Sequence, residues 1–232
     1  MPATHRWSNL SLVLGCLALL AACEQKKSFE VLGPLPAEQL RALDVQSPLK
    51  SVHFRDHDGE GLLVLSRFDG QAVEPGSEQE VDQVVLKATL YGRAHESDAF
   101  TSRWQIDQQT RCPGLDLDVD FYTDVSDVTD LDGNGVAEVT VASHAFCGGG
   151  IDPHDIHIEM HQGDEVYSIR GQSLISPAGE EPIGGEREDS ASLKQAPPVL
   201  REHLDAVWQQ VYKRPWSDVA APTDDDPDDE SE

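Results

Sequence analysis

The chain has 232 residues, 43 acidic against 17 basic, and a formal charge of -26 at pH 7. That length suits one domain, or one domain with tails. A surface so acidic is repelled by nucleic acid and by anionic head groups, which argues against both as partners and favours cations, basic partners or solubility outside the cell.

The first element is not part of the fold. His5 and Arg6 precede an apolar run from Leu10 to Leu20, broken only by Ser11 and Gly15. The run is too short and too early to span a bilayer, so residues 1–22 read as a signal peptide. Its end, Leu20-Ala21-Ala22-Cys23, resembles the lipobox of bacterial lipoproteins. The resemblance implies that the Cys23 sulfur takes a diacylglycerol, that the signal is cut just before it, and that the new amine is acylated. Several acyl chains make such an anchor stable. The protein is then exported and tethered to the envelope, with the outer membrane favoured over the inner. An ordinary secretory signal with a chance cysteine is the alternative.

Residues 23–49 form a tether and a short helix. Glu24 to Glu30 is polar, and Pro34 to Leu43 sets a proline at a first helical turn with Leu40 and Leu43 on one side. Residues 50–172 carry β patterning. Val52 and Phe54 alternate with His53 and Arg55, the turn Asp56-His57-Asp58-Gly59-Glu60-Gly61 follows, and Leu62 to Leu65 completes a hairpin signal. Asp69-Gly70 predicts another turn and Glu74 to Glu80 a polar loop. Val84, Leu86, Ala88 and Leu90 share one strand face; Phe100, Trp104 and Ile106 share a face of the next. Leu115, Leu117, Val119 and Phe121 alternate with Asp116, Asp118, Asp120 and Tyr122, one face apolar and the other carboxylate. Residues 136–146 and 156–160 are further strands, and Gly163-Asp164 turns the chain into 166–170.

Residues 173–192, rich in Gly, Pro and Glu, predict a flexible loop. In 193–215 Pro197-Pro198 opens a helix whose Leu200, Leu204, Val207, Trp208 and Val211 make one apolar stripe, and Pro215 stops it. Residues 216–232 end in TDDDPDDESE, a like-charge block that reads as a disordered tail. The expected fold is mainly β: a single antiparallel, strongly twisted sheet or partial barrel, with a C-terminal amphipathic helix packed on it. Trp104 and Trp208 fall in apolar patterns and are expected in the core.

Of the four cysteines, Cys16 leaves with the signal and Cys23 is spent on lipid. Cys112 and Cys147 remain in an oxidising context, where a disulfide is the natural reading and two free thiols the alternative. The spacing has no zinc pattern such as C-x-x-C.

The strongest chemical signal is Asp130-Leu131-Asp132-Gly133-Asn134-Gly135-Val136-Ala137-Glu138. Oxygen side chains stand at positions 1, 3, 5 and 9, with glycines at 4 and 6. Ca²⁺ takes six to eight oxygens at about 2.3–2.6 Å. Asp130, Asp132, Asn134, the carbonyl of Val136 and Glu138 would supply five, with water completing the shell. The loop is EF-hand-like, but position 12 is Val141 and strand-like residues follow. The spacing resembles the calcium loops of FG-GAP and integrin-type β-hairpins, where the ninth residue supplies the closing carboxylate. Only one full copy is present, so no propeller is implied. Asp56 to Gly61 is a partial echo with Val64 at the ninth position, and reads as a turn. D-G-N-G also makes a good hairpin turn without metal. No Lys or Arg lies between Arg111 and Arg170. The acids of this segment are therefore screened by solvent, met by basic groups from elsewhere, or offset by a bound cation.

A second resemblance covers residues 50–172. Val128-Thr129-Asp130-Leu131-Asp132-Gly133, Glu138-Val139-Thr140, Cys147, Met160-His161-Gln162-Gly163 and Tyr167-Ser168-Ile169-Arg170-Gly171, with Cys112 ahead, are similar to a small family of exported bacterial proteins catalogued under surface-polysaccharide biosynthesis. It implies a β-rich exported domain with a paired-cysteine clip. A binding or scaffolding role with an envelope protein or glycan partner is the leading expectation. An enzyme or accessory factor in surface-polysaccharide biosynthesis or processing is the alternative.

His157, Glu159 and His161 share one predicted strand face, with His144 and His154 nearby in sequence. They could hold Zn²⁺, but a solvated polar face is favoured. Asp116, Asp118 and Asp120 have the spacing of a glycosidase acid pair, yet neither acid is set in an apolar pocket. Gly148-Gly149-Gly150 lacks the context of a phosphate loop. No catalytic residue is assigned.

Overall fold

The computed structural model describes residues 29–214 apart from 46, 178 and 180. The segment expected to be a signal peptide, Cys23, Pro215 and the acidic C-terminal residues lie outside the described residues.

The chain is mainly β and antiparallel with a C-terminal helix, as the patterning predicts, and no closed barrel forms among the described residues. The strands are distributed over two main sheets and a two-stranded ladder, not over the single sheet expected. The first runs β1 (Glu30–Val31), β2 (Lys50–Asp56), β3 (Gly59–Val73), β4 (Glu80–Arg93) and β5 (Thr101–Cys112) in spatial order, with the short helix α1 (Ala37–Ala42) between β1 and β2. The second contains β6 (Asp116–Phe121), β7 (Asp127–Thr129), β8 (Glu138–Gly148), β9 (Asp155–Gln162) and β10 (Glu165–Gln172). A small ladder, β11 (Leu174–Ile175) with β12 (Ile183–Gly184), follows, and then β13 (Arg187–Asp189) returns to the second sheet as its edge. The order there is β13-β10-β9-β8-β6, with β7 also on β8. Two helices, α2 (Ala191–Gln195) and α3 (Pro198–Val211), end the described chain. The break between sheets falls after Cys112, where Gly114 takes a φ of +69° and β6 pairs with β8 and not with β5.

The period-2 patterns explain the layers. Successive strand residues face opposite sides. Val84, Leu86, Ala88 and Leu90 of β4 therefore meet Val119, Phe121, Val139 and Val141 of the second sheet in one shared core. Ala142, Ile156, Ile158, Met160 and Ile169 point the other way, against Leu200, Leu204, Val207, Trp208 and Val211 of α3. The second sheet is thus the middle layer. Each fully buried Leu or Ile on its helix side contributes roughly 1.5–3 kcal/mol, which fixes α3 in place. The Thr140 hydroxyl and His203 Nε2, 3.0 Å apart, tie the helix to β8. On the outer face of the first sheet, Leu40 and Leu43 cover Leu62 and Val64.

Three further expectations are corrected. Asp69-Gly70 is no turn: Asp69 pairs with Val84 and Gly70 with Gln83, and the β3–β4 hairpin closes at the polar loop, where Glu74 N–H donates to Gln79 O at 2.9 Å. Phe100 does not share a face with Trp104. Leu90 pairs with Trp104 and Tyr91 with Ser102, so Arg103 is an extra residue, and such a bulge reverses the facing of everything before it. Phe100 consequently joins the outer cluster with Leu62, while Trp104 and Ile106 face inward. Residues 173–192 are not simply a loop, since they hold β11, β12, β13 and the start of α2.

The C-terminal helix is likewise divided. Ala196 is extended (ψ 157°) because the following proline disfavours helical backbone, so α2 ends there and α3 begins at Pro198. Ser190 caps α2: its Oγ accepts from Leu193 N–H and also from Ser168 N–H of β10, both at 3.1 Å. Ser190→Ala is expected to lower stability by about 1 kcal/mol, read as a shift in the urea midpoint. An unchanged midpoint would show that the cap contributes nothing.

Trp208 is buried in the helix-side core and Trp104 is half-buried against the inter-sheet core. Cys112, at the end of β5, is bonded to Cys147 in β8 across a Cα–Cα distance of 5.4 Å. The disulfide therefore staples one sheet to the other.

Candidate metal centre

β7 and β8 form a hairpin in which Thr129 pairs with Glu138, and residues 130–137 make the connection. Gly133 and Gly135 take φ values of +68° and +85°, in the left-handed region where a side chain is strained. This conformation curls the loop inward. The carboxylates of Asp130, Asp132 and Glu138 each place an oxygen within 4.8 Å of the other two.

Backbone and amide donors hold those carboxylates. Both Asp130 oxygens accept from Gly135 N–H at 3.2 Å. Asp132 accepts from the Asn134 N–H and side-chain amide, each at 3.0 Å. Glu138 accepts from Leu131 N–H and from the Gln162 amide, each at 2.6 Å. Gln162 also reaches Asp132, at 3.0 Å. Asn134 stands exposed beside the cluster, and its Oδ1 accepts from Val136 N–H at 2.6 Å. The structure thus gathers Asp130, Asp132 and Glu138 most closely, with Asn134 and the half-buried Val136 on the flank.

Glu138 is fully buried. Burial pushes its carboxyl up to about 7, and Asp132 and Asp130 push the same way against the Leu131 hydrogen bond. Other acids of the segment find bases from distant parts of the chain: Arg67 reaches Asp120 at 3.2 Å, Lys50 reaches Asp127 at 3.9 Å, and Arg214 donates to Asp124 at 2.9 Å. The strongest charges on Glu138 are those of two further carboxylates, Asp132 and Asp130.

Two residues of this site escape the sequence reading. Gln162, on β9, bridges two carboxylates. Asp56, read only as a turn residue, is buried, and its Oδ2 accepts from Ala137 N–H at 3.1 Å while His57 N–H donates to Gly135 O at 2.6 Å. The β2–β3 turn of one sheet therefore buttresses the loop of the other. The D-x-D-G echo at Asp56 is the one signal of this in the sequence.

The histidines divide into two groups. His157, Glu159 and His161 do share a face of β9, directed toward the first sheet. Glu159 lies 2.6 Å from His161 Nε2 and 3.4 Å from His157 Nε2, and the His161 ring stacks on Trp104 at 4.2 Å. The His161 hydrogen bond, ahead of burial, holds the Glu159 carboxyl below its usual range. His157, Glu159 and Arg170 line a polar cleft of about 1040 Å³ under the edge strand β5.

His144 and His154 converge elsewhere, on Asp118. His144 Nε2 is 3.2 Å from Asp118 Oδ1 and His154 Nδ1 is 3.7 Å from Oδ2. The three aspartates of β6 thus diverge in use: Asp118 lies between imidazoles, Asp120 meets Arg67, and Asp116 is exposed. No family model, no curated protein and no solved structure matches the chain.

Proposed function

We propose that this is a lipid-anchored cell-envelope protein whose β domain takes a calcium ion in the Asp130–Glu138 loop and serves a binding or scaffolding role. One observation carries the calcium reading. The acids at 120, 124 and 127 have basic partners, whereas the strongest charges on the fully buried Glu138 are those of Asp132 and Asp130, both carboxylates. A hard cation answers that arrangement, because an all-oxygen donor set suits Ca²⁺ and its charge offsets three gathered carboxylates. Asp130, Asp132 and Glu138 would hold it, with Asn134 and the Val136 carbonyl completing the protein's share. Bound there, the ion would stiffen the β7–β8 connection and, through Asp56 and His57, the junction of the two sheets. The polar cleft beside β5 is where the binding role would be exercised.

The tether rests on the lipobox-like Leu20–Cys23, and the export it requires agrees with a disulfide between Cys112 and Cys147. Among the described residues no helix is long and apolar enough to cross a membrane. The competing reading, an enzyme or accessory factor in surface-polysaccharide handling, rests on the resemblance of residues 50–172.

Calorimetric titration with Ca²⁺, run beside Glu138→Ala, tests the site. Heat of binding is expected from the native protein and not from the variant; equal heats from both remove calcium from the loop. Mass spectrometry of the membrane fraction tests the tether: an acylated N-terminal Cys23 is expected, and an intact Met1 without acyl adduct excludes it. Turnover of a surface glycan, lost in Asp118→Asn with folding intact, would move the function to the enzymatic reading.

A further inference from the structure

We infer that Asp118, His144 and His154 form a second cation site, separate from the calcium loop, that takes a divalent transition ion of the zinc class. The three side chains come from β6, from β8 and from the residue just before β9, three neighbouring segments of the middle sheet. Each offers a ligand atom within 4.8 Å of the other two. Zinc binds imidazole nitrogen and carboxylate oxygen at about 2.0–2.2 Å, so donors sharing one tetrahedral ion stand about 3.3–3.6 Å apart. His144 Nε2 stands 3.2 Å from Asp118 Oδ1 and His154 Nδ1 3.7 Å from Asp118 Oδ2, both close to that length.

The donors are held in advance. His154 N–H donates to Ser173 Oγ and its carbonyl accepts from Ser173 N–H, both at 2.9 Å, which fixes its backbone. Its ring stacks on Phe146 with centroids 4.6 Å apart, and the His144 ring packs on Tyr122 at 4.9 Å. An aromatic shell of this kind keeps the imidazoles from turning away. The Asp118 side chain stays partly exposed, 29%, leaving a side from which an ion and its water ligand can arrive. His144 turns Nε2 toward Asp118, and its other ring nitrogen, Nδ1, is buried without a hydrogen-bond partner among the described residues.

Donor chemistry separates this site from the loop. Two imidazoles and one carboxylate suit zinc, cobalt or nickel, whereas oxygen-only Asp130, Asp132 and Glu138 suit calcium. The two sites are independent: this one stands whether or not the loop binds calcium.

The test is titration of the purified full-length protein with Zn²⁺ in saturating Ca²⁺. One zinc per chain is expected. Asp118→Asn and His154→Gln should each weaken it by more than the roughly 10–100-fold typical of outer-shell changes. The His157→Ala/His161→Ala double variant should leave it unchanged. X-ray absorption of the zinc-loaded native protein counts imidazole ligands and depends on no variant; two are expected. The inference is overturned by failure of the native protein to bind zinc under saturating calcium, by an all-oxygen shell, or by affinity lost in His157→Ala/His161→Ala but kept in Asp118→Asn.

Discussion

Breaking the Cys112–Cys147 bond is expected to lower the unfolding free energy by about 3–4 kcal/mol, the chain-entropy value for closing a loop of this length. The two residues are 35 apart in sequence. They join sheets that share the core of Val84, Leu86, Val139 and Val141. Reductant added to the native protein should move the guanidinium midpoint down by the same amount as the Cys112→Ala/Cys147→Ala variant, and should not move the variant further. The variant and the reduced protein both lack the cross-link and so lose the same loop-closure term. If reductant leaves the native midpoint where it was, the purified protein carries free thiols, and the support that oxidation lends to export is withdrawn.

The disulfide is legible in the sequence because only two cysteines remain once Cys16, in the signal-like segment, and Cys23, in the lipobox-like one, are set aside. The alternation along β6 and the stripe on α3 are legible for a different reason: each encodes burial within one element, which periodicity records directly. Relations between elements are not legible. The zinc-type trio needs β6 and β9 to flank β8, an order that no local pattern carries. His157, Glu159 and His161 look the better group in sequence because they are close along one strand. In the fold His161 Nε2 is engaged by Glu159 at 2.6 Å with its ring stacked on Trp104, while His157 Nε2 stands 3.4 Å from Glu159 without a hydrogen bond. Asp56 misleads in a similar way: its turn chemistry is local, but its partner, Ala137 N–H, is 81 residues away. Phe100 departs from its expected face through the bulge at Arg103, since one inserted residue shifts the period without altering composition. The Asp130–Glu138 loop sits between these cases. Its ligand spacing is local and readable, while the Gln162 bridge depends on β9, and the engagement of Arg67, Lys50 and Arg214 with other acids depends on their remote placement.

Glu138→Gln should make the calcium-free protein more stable at pH 8 and at the same time abolish its response to calcium. The folded protein holds the Glu138 proton up to about pH 7, against an ordinary value of 4.5. Below 4.5 the carboxyl is protonated in both folded and unfolded chains and contributes no difference. Between 4.5 and 7 the unfolded chain releases its proton while the folded chain retains it, so folding becomes less favourable as pH rises. Above 7 the folded chain carries a buried charge among Asp130 and Asp132, a penalty on the order of 3 kcal/mol at 1.36 kcal/mol per unit. Other groups titrate nearby. Burial lowers the pKa of His154, His157 and His203, which makes the native protein lose stability as pH falls below 6.5. Their effect opposes that of Glu138 in the same range, so the native profile alone conceals it. Subtracting the profile of Glu138→Gln cancels the histidines. Glu60 does not interfere: burial would raise it, but Arg55, Arg93 and His53 outweigh burial and hold it to about 2, so its contribution fades only as pH falls from 4.5 toward 2. The difference, variant minus native, is therefore expected to grow from pH 4.5 to 7 in chelator and then level. Calcium at one thousand times its dissociation constant should reverse its sign at pH 8, because the ion takes the proton's place only in the native protein and then adds about 4.1 kcal/mol, more than the penalty. A bare turn predicts the chelator result alone, with no reversal. Thermal unfolding of both proteins in chelator and in calcium decides between them, and an equal calcium-induced rise in Tm for the two would remove Glu138 from the site.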